Sequence, residues 1–313
     1  MSMMLRSDTP SEAARELVRG AYDLHVHVAP DVMVRRITDL ELANRFLDVG
    51  LAGFALKSHY MPTAERAAVV TAATPGVDVL GAITLNAAVG GINPLAVEIA
   101  ARSGARLVWL PTVDAANHRS AHGAMPPGAM PPMWLALQED LAGKGIRQPE
   151  VAVVDDEGRL LPETHDVLRL VAEHDLVLAT GHLGRAEILT VTRAALELGV
   201  RHVVVTHPDF PYQRLTADEQ LALADMGALL ERTFTTPYTG KCDWSEMVAN
   251  IRHTGLVRSL ITTDLGQPDN PPVEDGLALM ADALLLAGFD AEEVRQAIVT
   301  NSRELARGRS AEI

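Results

Sequence analysis

Short apolar runs alternate with longer helical patterns almost from end to end of this 313-residue chain. The runs fall at Ala21–Val28, Ala52–Ser58, Val77–Thr84, Arg106–Leu110, Leu176–His182, His202–His207, Ala228–Phe234 and Ser259–Asp264. Patterns of helical period lie between them, at Thr38–Val49, Met61–Thr74, Pro94–Ser103, Glu163–His174, Arg185–Leu198, Thr216–Asp225 and Trp244–Thr254. Glu274–Leu286 and Ala291–Arg307 follow the last run. Several runs are nearly continuous in apolar residues, as strands are when helices cover one face and other side chains the second. Eight such units make a closed (β/α)8 barrel of the TIM type, an α/β fold, the economical assembly. A doubly wound open sheet meets the same local pattern.

One interval breaks the rhythm. From Thr112 to Leu161 the chain runs through a Pro/Gly/Met-rich stretch in which prolines remove donors and fix φ, so a regular helix is excluded there. Val151–Val154 and Arg159–Leu161, around Asp155–Gly158, read as a small hairpin. The expectation is one barrel domain over 1–313 with 112–161 inserted after strand four. That loop would lie on the face where barrel enzymes carry their sites, as a substrate cover, or else as a surface or dimer contact.

Composition narrows the function. Hydrophobic residues are 48% and charged residues 22%, which excludes disorder. Twenty-seven basic against 41 acidic residues give a formal charge of −14, which disfavours nucleic acid as a partner. The single cysteine, Cys242, excludes an internal disulfide and a cysteine-rich metal site. No apolar leader and no run of 18 apolar residues occur, so the expectation is a soluble cytoplasmic protein with no membrane partner. A small molecule is the expected partner, and self-association stays open.

Polar residues gather at the strand ends. His25 and His27, two apart in AYDLHVHVAPD, face one side of an extended strand, with Leu24 and Val26 on the other. Two converging imidazoles are half a zinc site. His182, His207 and Asp264 each lie just past a later apolar run. A barrel presents all its parallel strand ends on one face, so these five residues would meet around one mouth and supply ligands for one or two divalent ions.

The ordered set His25-x-His27, His182, His207 and Asp264 resembles the amidohydrolase superfamily of metal-dependent hydrolases, and IVTNSRELARG is similar to its terminal helix. DLHVHVAPD, LKSHY, GHLG, VTHPDFP and TTDLGQ resemble, more narrowly, a poorly characterised branch of it. The resemblance implies that His25, His27 and Asp264 bind the more buried metal. It implies that His182 and His207 bind a second ion or, with one ion, the substrate or that ion. Binuclear members usually carry a carboxylated lysine or glutamate at the end of strand four, whereas ARLVWLPT here offers Trp109 and Thr112. Lys57 instead ends strand two, in FALKSHY, and is costly to bury as an ammonium. It is read as a carbamylated bridge between metals, as an ammonium paired with Asp264 or another acid, or as a substrate contact. His59 is a further ligand or a contact for a substrate oxyanion.

The expected chemistry is hydrolysis of an amide, cyclic amide, lactone or related ester of a small anionic metabolite by metal-activated water, with zinc the favoured ion. Asp264 would move the proton, and the second metal, or His182 and His207 if only one ion binds, would polarise the carbonyl. Metal-dependent decarboxylation or isomerisation, and phosphoester hydrolysis, are the alternatives. Asp23 is read as turned away from the site. Candidate substrate contacts are His59, His118, Arg119, Arg185, Arg232 and Tyr238, with His122, Tyr212 and Lys241 nearby, since cations at a metal site suit a carboxylate.

Overall fold

A computed structural model describes residues 8–120, 126–129 and 133–307. Its strands are β1 (Tyr22–Val26), β2 (Gly53–Leu56), β3 (Asp78–Thr84), β4 (Ala105–Trp109), β5 (Val177–Ala179), β6 (His202–Val205), β7 (Leu229–Thr233) and β8 (Ser259–Thr262). They pair in parallel in the order β1 to β8. The ring closes where Asp264 N donates to the His25 carbonyl and His27 N to the Leu265 carbonyl, each at 2.8 Å, with Val26 bridging Leu265. These bonds make the sheet a (β/α)8 barrel and rule out the open doubly wound sheet.

Inside the barrel Leu24, Ala55, Leu80, Leu107, Trp109, Val177, Val204 and Leu260 form one packed cluster, joined by Leu305 and Ala306. These last two residues enter at the strand starts, where Arg106 Nε donates to the Leu305 carbonyl and Tyr22 N to the Ser302 hydroxyl. The interior is therefore filled from below, and Trp109 forms the floor of whatever lies at the strand ends. Leu24 was expected on the outer face with Val26. A register shift between Asp23 and Val26 interrupts the alternation and turns Leu24 inward while keeping His25 inward too. Asp23 does point away: it accepts from Thr263 N (3.1 Å) and Thr263 Oγ1 (2.5 Å), and Thr263 lies against helix Val273–Leu286.

The helices start where the sequence offers caps. Thr38 and Thr216 each form a capping box, with Glu41 and Glu219, and Pro94 follows the Asn93 cap. The helix expected from Met61 begins only at Ala64. Thr63 is held back by its hydroxyl donating to Leu56 O (2.7 Å) and its N–H donating to Ala82 O (2.9 Å). The expected Ala291–Arg307 helix is Ala291–Arg295, a wider π turn over Gln296–Thr300, and Asn301–Ala306. There Asn301 donates to the carbonyls of Val257 and Ser259 and ties this end to the start of β8.

Beyond β4 the chain makes its excursion through helices Ala116–Ser120 and Trp134–Gly143. Val151 bridges Ala115, pinning the excursion's return to its exit. The hairpin exists as a Val154–Leu160 bridge around an Asp155 turn. No helix among the described residues is long and apolar enough to cross a membrane.

Candidate metal and active site

β1 delivers His25 and His27 to the C-terminal mouth, and the turn after β8 delivers Asp264. Asp264 has φ 54°, a left-handed conformation that aspartate tolerates better than most residues. Two residues on, Gly266 has φ 131°, and a Cβ there would fall 1.5 Å from the His27 carbonyl oxygen. Only glycine lets this turn pass so close to β1. Asp264 Oδ1 then lies 3.1 Å from His27 Nε2 and 3.3 Å from His25 Nε2. One donor atom from each of the three residues falls within 4.8 Å of the others, making the metal-competent cluster among the described residues.

The donor set is chemically suited to a cation. His25 Nδ1 is 2.9 Å from Glu231 Oε1, a carboxylate that can only accept, so the proton sits on Nδ1 and the Nε2 lone pair faces Asp264. Glu231 is held by the Thr262 hydroxyl (2.9 Å) and by His207 N (3.1 Å). Burial by itself would raise its carboxyl, but the charges of His25, His207 and Lys57 and the His25 hydrogen bond bring it down to about 2. Burial likewise works against the Asp264 anion, and His25, His27 and Lys57 outweigh it, holding the group well below the usual range. His27 is lowered to about 3 and His207 to about 4, in both cases chiefly by burial, so their rings are neutral and able to donate a lone pair.

Lys57 leaves β2 directly beneath this cluster. Its Nζ is 2.8 Å from His25 Nε2 and 5.2 Å from the Trp109 ring centre. Burial lowers it to about 8, against the pull of Asp264 and Glu231. His182 and His207 stand beside the trio, with their rings 5.0 Å apart and His207 6.1 Å from His25. His182 reaches the mouth through a turn at Gly181, where a Cβ would lie 2.3 Å from Leu110 O and φ is 62°. That turn ends β5 at Ala179, short of the expected His182. His59 stacks on His27 at 5.0 Å, and burial, followed by the charges of His27, Lys57 and Arg35, pushes it well below its ordinary value.

His27, Lys57, His59, His182, His207 and Asp264 line a cavity of about 350 Å³ together with Arg35, Met33, Met133, Trp134, Phe210, Lys241, Gln267 and Asn270, while His25 lies buried behind it. Met133 and Trp134 come from the excursion after β4, which thus walls part of the mouth. Arg35 is buried beside Asp31, with Nη2–Oδ2 at 2.7 Å, and Lys241 Nζ lies 5.6 Å from the Phe210 ring centre.

The remaining expected substrate contacts fall elsewhere. His118 is behind His182, with Nδ1 2.8 Å from His182 Nδ1, and is packed between Trp134 and Tyr212 rather than lining the cavity. Arg232 points out of β7 into the helical layer, fully buried, donating to Asp209 (2.7 Å), Gln220 (2.6 Å) and Thr254 (3.1 Å). It is a structural tie, because inward positions on β7 are Leu229, Glu231 and Thr233. Arg185 is exposed and bonds the Gln213 and Arg214 carbonyls. Tyr238 stacks on Phe234 in the core outside the barrel. The Arg119 side chain and His122 lie outside the described residues. Glu231 and Arg35 were not singled out from the sequence.

A parallel eight-stranded barrel with a buried His/His/carboxylate cluster at its C-terminal mouth defines a (β/α)8 protein with a candidate metal centre. Residues 20–231 match the model of the "Family of unknown function (DUF6282)", and the chain belongs to that family. No curated protein matches the chain in sequence. Among solved structures it is similar to an amidohydrolase from Pseudomonas aeruginosa at 12% identity and TM-score 0.59, over 95% of this chain and 98% of that one. It is also similar to a metallopeptidase from Rhodobacter sphaeroides, liganded with a phosphinate mimic of the dipeptide L-Ala-D-Ala. There the identity is 14% and the TM-score 0.56, over 92% of this chain and 99% of that one. At such identities the likeness is one of fold.

Proposed function

We propose that the protein is a metal-dependent hydrolase that cleaves an amide or ester-type bond in a small molecule bearing a carboxylate. The observation that carries this reading is the convergence of His25, His27 and Asp264 at the bottom of a cavity flanked by the cations Arg35 and Lys241. A divalent ion on that trio would supply Lewis acidity and an activated water, and two imidazoles with one carboxylate suit zinc. The fold relative that holds a dipeptide mimic is in keeping with a small amide carrying a carboxylate.

The chain's own groups divide the work. Asp264 Oδ2, which accepts from the Thr235 hydroxyl at 3.2 Å, would take the proton of the attacking water. Arg35 and Lys241 would bind the carboxylate, the guanidinium by its planar fork. His182 and His207 would face the reacting carbonyl. An ammonium at Lys57 and a dication on His25 repel each other strongly at such separations. Addition of carbon dioxide to the neutral amine, with loss of a proton, turns Lys57 into a carbamate anion and removes that conflict. In this reading Lys57 is a carbamylated ligand.

Glu231 supports the metal through His25. Glu231→Gln keeps the shape but weakens the hold on the His25 Nδ1 proton. The expected result is a 10–100-fold (order-of-magnitude) loss of zinc affinity in a competition titration, with the fold retained. Unchanged affinity would remove Glu231 from the site. The function itself is tested by screening the zinc-loaded protein against small carboxylated amides, lactams, lactones and phosphoesters. Turnover of an amide or lactone, lost on chelation and restored by zinc, supports the reading. Carbon dioxide release without hydrolysis, or turnover of phosphoesters alone, would overturn it.

A further inference from the structure

Thr112 occupies the strand-four end where the resemblance led us to look for a metal-bridging side chain, and it is wired instead to His59. The wiring has a fixed direction. Asn86 is fully buried; its Oδ1 accepts from Thr112 N at 2.8 Å and Asp114 N at 3.3 Å, and its Nδ2 donates to the His59 carbonyl at 2.9 Å. Backbone amides only donate and a backbone carbonyl only accepts, so the amide of Asn86 has one orientation. The same Nδ2 donates to Thr112 Oγ1 at 2.6 Å. The buried hydroxyl's proton needs an acceptor, and of the two contacts of Thr112 Oγ1 only His59 Nδ1, at 2.9 Å, can be one. A neutral imidazole whose Nδ1 accepts carries its own proton on Nε2. His59 Nε2 has no hydrogen-bond partner among the described residues, and the ring lines the cavity beside His27.

We propose that His59 is a catalytic hydrogen-bond donor to the substrate's reacting carbonyl oxygen and not a metal ligand, with Asn86 and Thr112 as the positioning residues that fix its tautomer. The contrast with His25 makes the point. His25 meets a carboxylate that only accepts, so its Nε2, turned to Asp264, offers a lone pair; His59 meets a hydroxyl that donates, so its cavity-facing nitrogen offers a proton. Two histidines of one site are thereby given opposite duties by what stands behind them. A preorganised neutral donor of this kind strengthens its bond as charge builds on the carbonyl oxygen, and it costs no reorganisation during reaction. The inference rests on the hydrolase reading for the identity of the acceptor, but the tautomer and the absence of a metal bond do not.

Nitrogen-15 spectra of histidine-labelled protein, as purified and after zinc loading, test the proposal directly, with the His59 signals assigned by their loss in His59→Gln. The expected state is an unprotonated Nδ1 and a protonated Nε2. Thr112→Val, which removes the hydroxyl at equal size, should shift the ring toward the Nδ1–H form, and Thr112→Ser should restore the wild-type signature. Elemental analysis should find the wild-type zinc content in His59→Gln. A wild-type Nδ1–H form, or zinc lost from His59→Gln, would overturn the proposal. Failure to find any hydrolysed substrate would bring down the hydrolase reading alone, since none of these readouts uses one. With a substrate in hand, Thr112→Val should lower kcat by about 10²-fold with KM nearly unchanged. Unchanged kcat in a variant with the shifted tautomer would remove the catalytic role.

Discussion

Protein carrying both His25→Ala and His27→Ala is expected to lose about one equivalent of bound divalent metal per chain, measured by elemental analysis after zinc loading, while keeping its helical circular dichroism. Without the two imidazoles only Asp264 and the proposed Lys57 carbamate remain, too few ligands to hold the ion against water, so the loss should be close to complete. The two histidines are not equal in what they support. His27 Nδ1 has no hydrogen-bond partner among the described residues, so His27→Ala leaves no buried polar group behind that nitrogen without its partner. His25 donates to the buried Glu231, and its removal leaves that carboxylate only the Thr262 hydroxyl and His207 N. An unpaired buried charge is costly, so the His25 change should also lower stability, and His27→Ala serves as the fold control. Full metal content in the folded double variant would reject the trio as the metal site.

The barrel was legible because its signal repeats. Eight apolar runs with helices between them announce a parallel α/β sheet whatever the error at any one boundary, and each run contains or adjoins an observed strand, while the closure that excludes the open sheet lies in the bonds between β1 and the turn after β8. Strand-end residues were legible for the same reason: a parallel ring brings His25, His27, His182, His207 and Asp264 to one mouth without knowledge of a single contact. What periodicity cannot carry is a break in period. The register shift in β1 inverts the face of Leu24, and nothing in YDLHV announces it. Thr63 delays a helix through bonds to β2 and β3, partners remote in sequence.

Residues that serve the site from behind were hidden for a related reason. Glu231 sits within the run LLERT rather than past its end, where a search for strand-end ligands does not look, and its neighbour Arg232 drew attention by its charge. Strand parity separates the two, with Glu231 inward on His25 and Arg232 outward on Asp209. Arg35 comes from an aperiodic loop after β1, so only the closed structure brings it to the cavity. The Asn86–Thr112–His59 relay joins three loop segments across three strand ends, and no local pattern links them.

Asp264→Asn should lower kcat by roughly 10²–10⁴-fold, the scale of a general acid–base contribution. The substitution is unusually clean at this position. Asparagine tolerates the left-handed φ of 54° as aspartate does, so the turn that aims the side chain survives. One amide oxygen can still face His25 and His27, and what is removed is the anion. His25, His27 and Lys57 hold that anion well below the usual carboxylate range, which makes Asp264 a weak base. Metal content must be measured on the same sample, because loss of the ion would mimic loss of the base. A zinc-replete Asp264→Asn protein with wild-type kcat and an unchanged pH profile would eliminate proton transfer by Asp264 and move the assignment toward chemistry that needs no water-derived proton, such as decarboxylation.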